Sequence, residues 1–180
     1  MIPFDEAKVR FHGNGFLQAE DGKGGKFHMW HPACPRQKVQ TLLHNHNHTF
    51  RSTLLRGDLD YKEFDVRLDV DGWYESYRCV PRKGKDTELR KVGIVRTIQL
   101  AEGIHEEGST YELELGTYHF TRPHHNSDIV ITRVERIGEE ADFQPTVLIP
   151  EGVTPDNDFD RYGHPELAKA LYVVLVAMID

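Results

Sequence analysis

An all-β antiparallel sandwich or barrel is the architecture that the residue pattern predicts. Many short segments alternate apolar and polar residues with period two, as strands with one buried face do. Gly, Pro and Asp punctuate them at turn-like intervals, with 15 Gly and 9 Pro in 180 residues. Only one stretch, near the C-terminus, carries a helical stripe.

Taken in order, Phe16 to Ala19 and Lys26 to His31 flank Glu20-Asp21-Gly22-Lys23-Gly24-Gly25 and predict a hairpin. A phosphate-cradling loop is the sharper reading of those glycines, but no helical pattern follows them. Asp71-Gly72 predicts a two-residue turn with positive φ, which sets Val70 against Trp73, Leu68 against Glu75, Val66 against Tyr77 and Phe64 against Cys79. Leu59 and Tyr61 are out of phase with Phe64, Val66 and Leu68, which places a bulge near Lys62-Glu63. A charged loop is expected from Pro81 to Lys91. After it, Val92, Ile94, Arg96, Ile98 and Leu100 share one strand face. Arg96 on that face either snorkels from a strand end or points inward to bind an anionic group. Strands are expected over Thr110 to Leu115 and Asp128 to Glu135, an irregular loop over Pro150 to Gly163, and a helix from Pro165 to about Met178. Leu167, Leu171, Val174, Leu175 and Met178 form its stripe, and apolar Val173, Val176 and Ile179 opposite predict burial on the sheet or between subunits. A strand over Leu171 to Met178 is the alternative. The chain is expected to form one domain, with a barrel core of about 14–149 and a loop and helix over 150–180.

Composition narrows the partners. With 22 Lys+Arg against 29 Asp+Glu, the net charge of -7 argues against nucleic acid and anionic membranes, which require a concentrated basic face. A chain this long buries enough surface to fold without disulfides or metal, so any metal serves function first. Cys34 and Cys79 form no CxxC pair and are expected to be free thiols. The segment MIPFDEAKVR lacks an apolar core, and the apolar run from Ala170 to Ile179 is far short of the roughly 20 residues that span a bilayer, so a cytoplasmic protein is expected.

Histidine carries the chemistry. Five of the 11 His lie in two tight groups, His44/His46/His48 and His124/His125. In LLHNHNHTF the first three alternate and, if extended, share a face, which places His44 and His46 where two imidazoles can bind one ion. A solvated surface strand is the plainer alternative. His28 and His31 flank Trp30 and are read as structural or pocket-lining, whereas His124 and His125 follow Pro123 in an expected loop.

The spacing His44-x-His46, Phe50, then Gly57 after six residues resembles the first cupin motif, HxH-x(3,4)-E-x6-G. Gly108, Gly116 and His119 match the offsets of the second, G-x5-P-x-G-x2-H-x3-N, with Glu114 and Pro123 replacing its Pro and Asn. The resemblance to the cupin superfamily implies a double-stranded antiparallel jelly-roll barrel, often dimeric, with His44, His46 and His119 as metal ligands. The motif's Glu is absent: Phe50 stands there, or Arg51 at the longer spacing. The resemblance is therefore to three-His cupins of the cysteine dioxygenase type, although Arg51 stands where those enzymes often have a crosslinking Cys.

That resemblance implies a divalent transition metal, with Fe(II) first and Mn(II), Ni(II) or Zn(II) also able to accept imidazole. It implies a dioxygenase or oxidoreductase, and an ion that three neutral imidazoles leave fully charged suits a small anionic metabolite. Arg96, favoured because its parity places it among apolar residues, Tyr111 and Arg51 are the candidate substrate anchors. Ion pairing and core-edge packing are the alternative roles of those three. His48 would line the rim or support the site. Two other function classes stand: a cupin isomerase, and a non-catalytic cupin holding a nucleotide or sugar derivative. A phosphoesterase with paired H-x-[ST] elements has only one of them, His119-Phe120-Thr121.

Overall fold

The computed structural model describes residues 8–35, 43–82, 85–155 and 163–179. Among them, one six-stranded antiparallel sheet has the order β1 (Val9–His12), β2 (Phe16–Glu20), β3 (Lys26–Trp30), β11 (Val130–Glu140), β5 (His48–Arg56), β9 (Thr110–Leu113). A second runs β10 (Tyr118–Pro123), β4 (Leu43–His44), β12 (Thr146–Pro150), β7 (Tyr74–Arg82), β8 (Lys85–His105), β6 (Leu59–Leu68) and closes through β6 on β10. Two antiparallel sheets with one C-terminal helix, α1 (Pro165–Ile179), match the antiparallel sandwich or barrel that the alternation predicts and are consistent with the jelly roll that the resemblance implies. No described helix is long and apolar enough to cross a membrane.

Over β2, β3 and the start of β11, strand parity sorts the first sheet's residues onto two covered faces. Leu17, Met29 and Ile131 align across β2, β3 and β11 and face away from the second sheet, where Leu171, Tyr172 and Leu175 of α1 cover them. Gln18, His28 and Thr132, one residue along each strand, align on the opposite face. The buried side of α1 is Ala168, Leu171, Tyr172, Leu175 and Val176, rotated from the expected stripe, while Val173 is exposed. Tyr172 packs as core here, which a purely aliphatic stripe does not anticipate. The Glu20–Gly25 hairpin forms as expected: Glu20 pairs with Lys26, and the buried Asp21 carboxylate accepts from the Lys23 and Gly25 amides at 2.7 and 2.8 Å.

Three expectations are corrected. First, β6 and β7 are not paired. Both pair with β8, so Val95 lies between Leu68 and Tyr74. Gly72 has no positive φ; an added Cβ there would overlap the Val95 carbonyl, so glycine is required for close approach instead. The expected bulge does occur, as a register shift between Glu63 and Phe64, and it turns Phe64 and Val66 toward the core formed by Leu43, Val95 and Leu148. Second, the charged loop expected over Pro81 to Lys91 is strand on both sides of 83–84, which lie outside the described residues: β7 runs to Arg82, β8 starts at Lys85, and the two pair antiparallel with Val80 opposite Glu88 and Cys79 opposite Leu89. Third, His44, His46 and His48 do not share a strand. β4 ends at His44 and β5 begins at His48, and the chain passes from one sheet to the other between them. The expected 150–163 loop is described to Pro155, and 156–162 lie outside the described residues. Cys34 is buried and Cys79 half-buried, and the two are not joined in a disulfide.

Candidate metal centre

The crossing from β4 to β5 gathers the imidazoles. Asn45, buried between His44 and His46, anchors it: its side-chain carbonyl accepts from the Thr146 amide at 2.7 Å, and its own amide donates to the Thr146 carbonyl at 3.1 Å. The His46 carbonyl accepts from Gly116 N–H at 2.8 Å, tying the crossing to the turn that leads into β10. His119 on β10 is register partner to His44 on β4, so these two stand side by side. The ring centroids are 4.4 Å apart for His44–His119, 4.8 Å for His44–His46 and 5.2 Å for His46–His119. One ligand nitrogen from each lies within 4.8 Å of the others.

The donor set fits a divalent ion. Burial first, and then His44 and the neighbouring imidazoles, hold His46 and His119 well below the ordinary histidine range, so both offer lone pairs at neutral pH. His119 Nδ1 faces the Thr117 carbonyl at 3.4 Å, the outer partner that orients a metal-binding imidazole. A shared ion about 2.1 Å from each nitrogen needs separations of at most about 4.2 Å, within reach of small ring rotations. Phe50 occupies the side where the motif has a carboxylate. Its ring meets His46 edge-on at 5.0 Å and approaches His119 at 6.0 Å, so the three imidazoles have an apolar neighbour there.

These histidines line a cavity of about 350 Å³ between the two sheets. None of the described residues lining it is an aspartate or glutamate, whereas Lys26 and Arg136 do line it. His48 also faces the cavity, with its ring 5.4 Å from that of His46. Tyr111 lines it as well; burial raises its phenol pKa, and its ring stacks on His105 at 3.8 Å.

The other two expected anchors lie elsewhere. Arg51 is on the outer face of β5, bonded to Glu112 at 2.7 Å and near Glu135 at 3.7 Å. Arg96 donates to Asp69 at 2.7 Å and lies over the Trp73 ring at 4.8 Å, outside the cavity. Its parity with Val92, Ile98 and Leu100 is real, but that face of β8 is the exposed one. His124 bonds Asp60 at 2.6 Å beside His125, away from the three ligands. His31 caps a turn by accepting from Ala33 N–H at 3.1 Å and does not line the cavity.

On the opposite wall His28 lines the cavity, one of the two roles its sequence context suggests, while His12, Phe16, Gln18 and Thr132 were not anticipated there. There His12 stacks flat on Phe16 at 4.4 Å, and Phe16 stacks on His28 at 4.4 Å with Trp30 tilted against it at 4.8 Å. Burial, then the nearby Lys26 and Arg10, push His28 down to about 3, which keeps it neutral. The signal in sequence is the alternation Phe16/Gln18 and His28/Trp30, but it becomes a wall only once β2 and β3 pair.

No family model and no curated protein matches the chain. Among solved structures, it is similar to Drosophila melanogaster CENP-C bound to CAL1, at 12% identity and a TM-score of 0.38, covering 72% of this chain and 80% of that one. It is also similar to the hydroquinone 1,2-dioxygenase PnpCD in complex with Cd2+ and 4-hydroxybenzonitrile, at 16% identity and a TM-score of 0.33. That match covers 65% of this chain and 60% of the dioxygenase chain. Likenesses this slight carry no argument about function. The all-β fold and the three-His group are compatible with a cupin.

Proposed function

We propose that the protein is a mononuclear metal-binding cupin that acts on a small anionic metabolite, as a three-His Fe(II)-type dioxygenase or oxidoreductase. The observation that carries this reading is the convergence of His44, His46 and His119 on one wall of a cavity of about 350 Å³ between the two sheets. When bound, a redox-active divalent ion supplies Lewis-acid activation of an anionic substrate group and electrons for reaction with O2. The chain's own residues do the rest. Three neutral imidazoles add no negative charge, so the ion's positive charge remains to attract an anion. A lining without carboxylates, with Lys26 and Arg136 on it, favours the same sign of ligand. Phe50, buried, and Tyr111, partly buried, give that side an apolar lining.

Metal analysis of untagged protein tests the reading. Wild type reconstituted with Fe(II) should retain close to one equivalent, and the His44→Ala/His46→Ala double variant should retain almost none. Absence of metal from both would end the enzyme reading. With iron bound, oxygen uptake is expected on presenting small thiols or 2-hydroxy and 2-oxo acids; iron without uptake would favour the isomerase or the non-catalytic binder.

A further inference from the structure

The cavity has a second wall that carries two buried polar atoms without a hydrogen-bond partner. His28 Nε2 and Thr132 Oγ1 are both buried and make no hydrogen bond within the described residues. They are not scattered. Thr132 is the register partner of His28, and Gln18 is the partner of His28 on its other side, so the three form one polar row across β2, β3 and β11. All three line the cavity, as do Phe16 and Trp30, the aromatic rings packed around His28.

An unmade hydrogen bond at a buried polar group is unfavourable by about 1–3 kcal/mol, so two adjacent ones on the wall of a cavity point to something that completes them. Directly opposed side chains on antiparallel strands have Cβ atoms about 5 Å apart, close enough for one ligand oxygen to meet both. A hydroxyl suits them best. Thr132 and a neutral imidazole can each donate or accept, and a hydroxyl does both, whereas a carbonyl only accepts. The flat faces around the row favour a planar ligand, because conjugated rings gain by stacking or edge contact beyond the area they bury.

We propose that this wall is a recognition subsite for the hydroxyl-bearing edge of a small aromatic acid, with His28 and Thr132 bonding the hydroxyl, Phe16 and Trp30 packing on the ring, and the acid group directed to the three-His wall. The proposal rests on reading the cavity as the substrate site, and it names the substrate class.

The test uses full-length, metal-free protein. Trp30 emission is followed in a Trp73→Phe background, since those are the chain's 2 Trp. The probes are 3-hydroxybenzoate, benzoate, which lacks the hydroxyl, and cyclohexanecarboxylate, which lacks the planar ring. Affinity should fall in that order, with 3-hydroxybenzoate roughly three- to tenfold tighter than benzoate, as one or two hydrogen bonds allow. Thr132→Val should remove most of that ratio while leaving benzoate binding nearly unchanged. Equal affinities for 3-hydroxybenzoate and benzoate, an equally good cyclohexanecarboxylate, or no binding of any probe at millimolar concentration would each overturn the proposal. The probe series on otherwise native protein decides the matter even where a Thr132 variant does not fold. Because the titration needs no metal, its failure leaves the metal stoichiometry intact, and failure of the metal reading leaves the titration intact.

Discussion

Phe50 is the residue that most sets this site apart chemically. It stands where the motif calls for a carboxylate, and its ring lies edge-on to His46. Phe50→Glu should therefore have opposite effects with and without metal. In metal-free protein the substitution buries a carboxylate beside neutral imidazoles and should lower Tm by roughly 5 °C or more. With Mn(II) or Zn(II) present, a fourth ligand becomes available, so the metal-induced rise in Tm should exceed that of wild type by differential scanning fluorimetry. An equal rise in both proteins would mean that the Glu does not reach the ion. That His44, His46 and His119 come together was legible in sequence, because motif spacing is independent of strand pairing. Arg96 was not: parity assigns a residue to a face, but whether that face is core or solvent depends on which sheet lies against it, and no pattern within one strand states this. His12, His28, Gln18 and Thr132 were illegible as a group for a related reason, since they meet only through the β1–β2–β3–β11 register.

Among elements, the insertion of β8 between β6 and β7 is the main departure from local expectation. Asp-Gly between alternating strands is a strong hairpin signal. Here the Gly72 amide donates to the Asp69 carbonyl at 2.9 Å, and the turn carries the chain over Val95. Gly72→Ala should overpack that contact and destabilise the fold by about 1–3 kcal/mol in a urea melt, although φ is not positive there. Gly108→Ala, where φ is 82° and no atom lies within 4 Å of the new Cβ, tests strain without a clash and should be milder. Helix α1 gives a matching contrast. Leu175, fully buried, should cost about 2–5 kcal/mol on substitution with Ala, and exposed Val173 less than about 1. Equal costs would mean that the helix does not seat on β1 and β2 as described. The helix boundaries were legible from Pro165 and the apolar run; its exact rotation was not, because nearly every side of it is apolar.

For the whole molecule, the buried histidines make stability depend on pH in one direction. His28, His46 and His119 all have lowered values in the folded state, whereas in the unfolded chain they titrate near 6.5. Below about pH 6.5 the unfolded chain takes up protons that the folded protein refuses. The stability of metal-free protein is therefore full above that pH and falls as pH drops toward about 3, by up to about 1.4 kcal/mol per pH unit for each group. Urea midpoints at pH 7.5, 6 and 5 should decline in that order, and His28→Phe should flatten the decline; midpoints that stay level would refute it. The overall architecture was legible in sequence because two-residue alternation recurs along the whole chain. The order of strands within each sheet was not, because it is fixed by contacts between segments far apart in sequence.

The central strands of the first sheet hold α1 on one face and the cavity wall on the other, with Met29 and Ile131 beneath the helix and His28 and Thr132 one residue away on the same backbone. Those strands act as a shared lever: whatever stiffens the cavity side also stiffens the seat of the helix, 1 peptide unit distant. A molecule held against His28 and Thr132 should thus slow amide hydrogen exchange in α1, a segment it never touches, and loosening the helix with Leu175→Ala should weaken its grip.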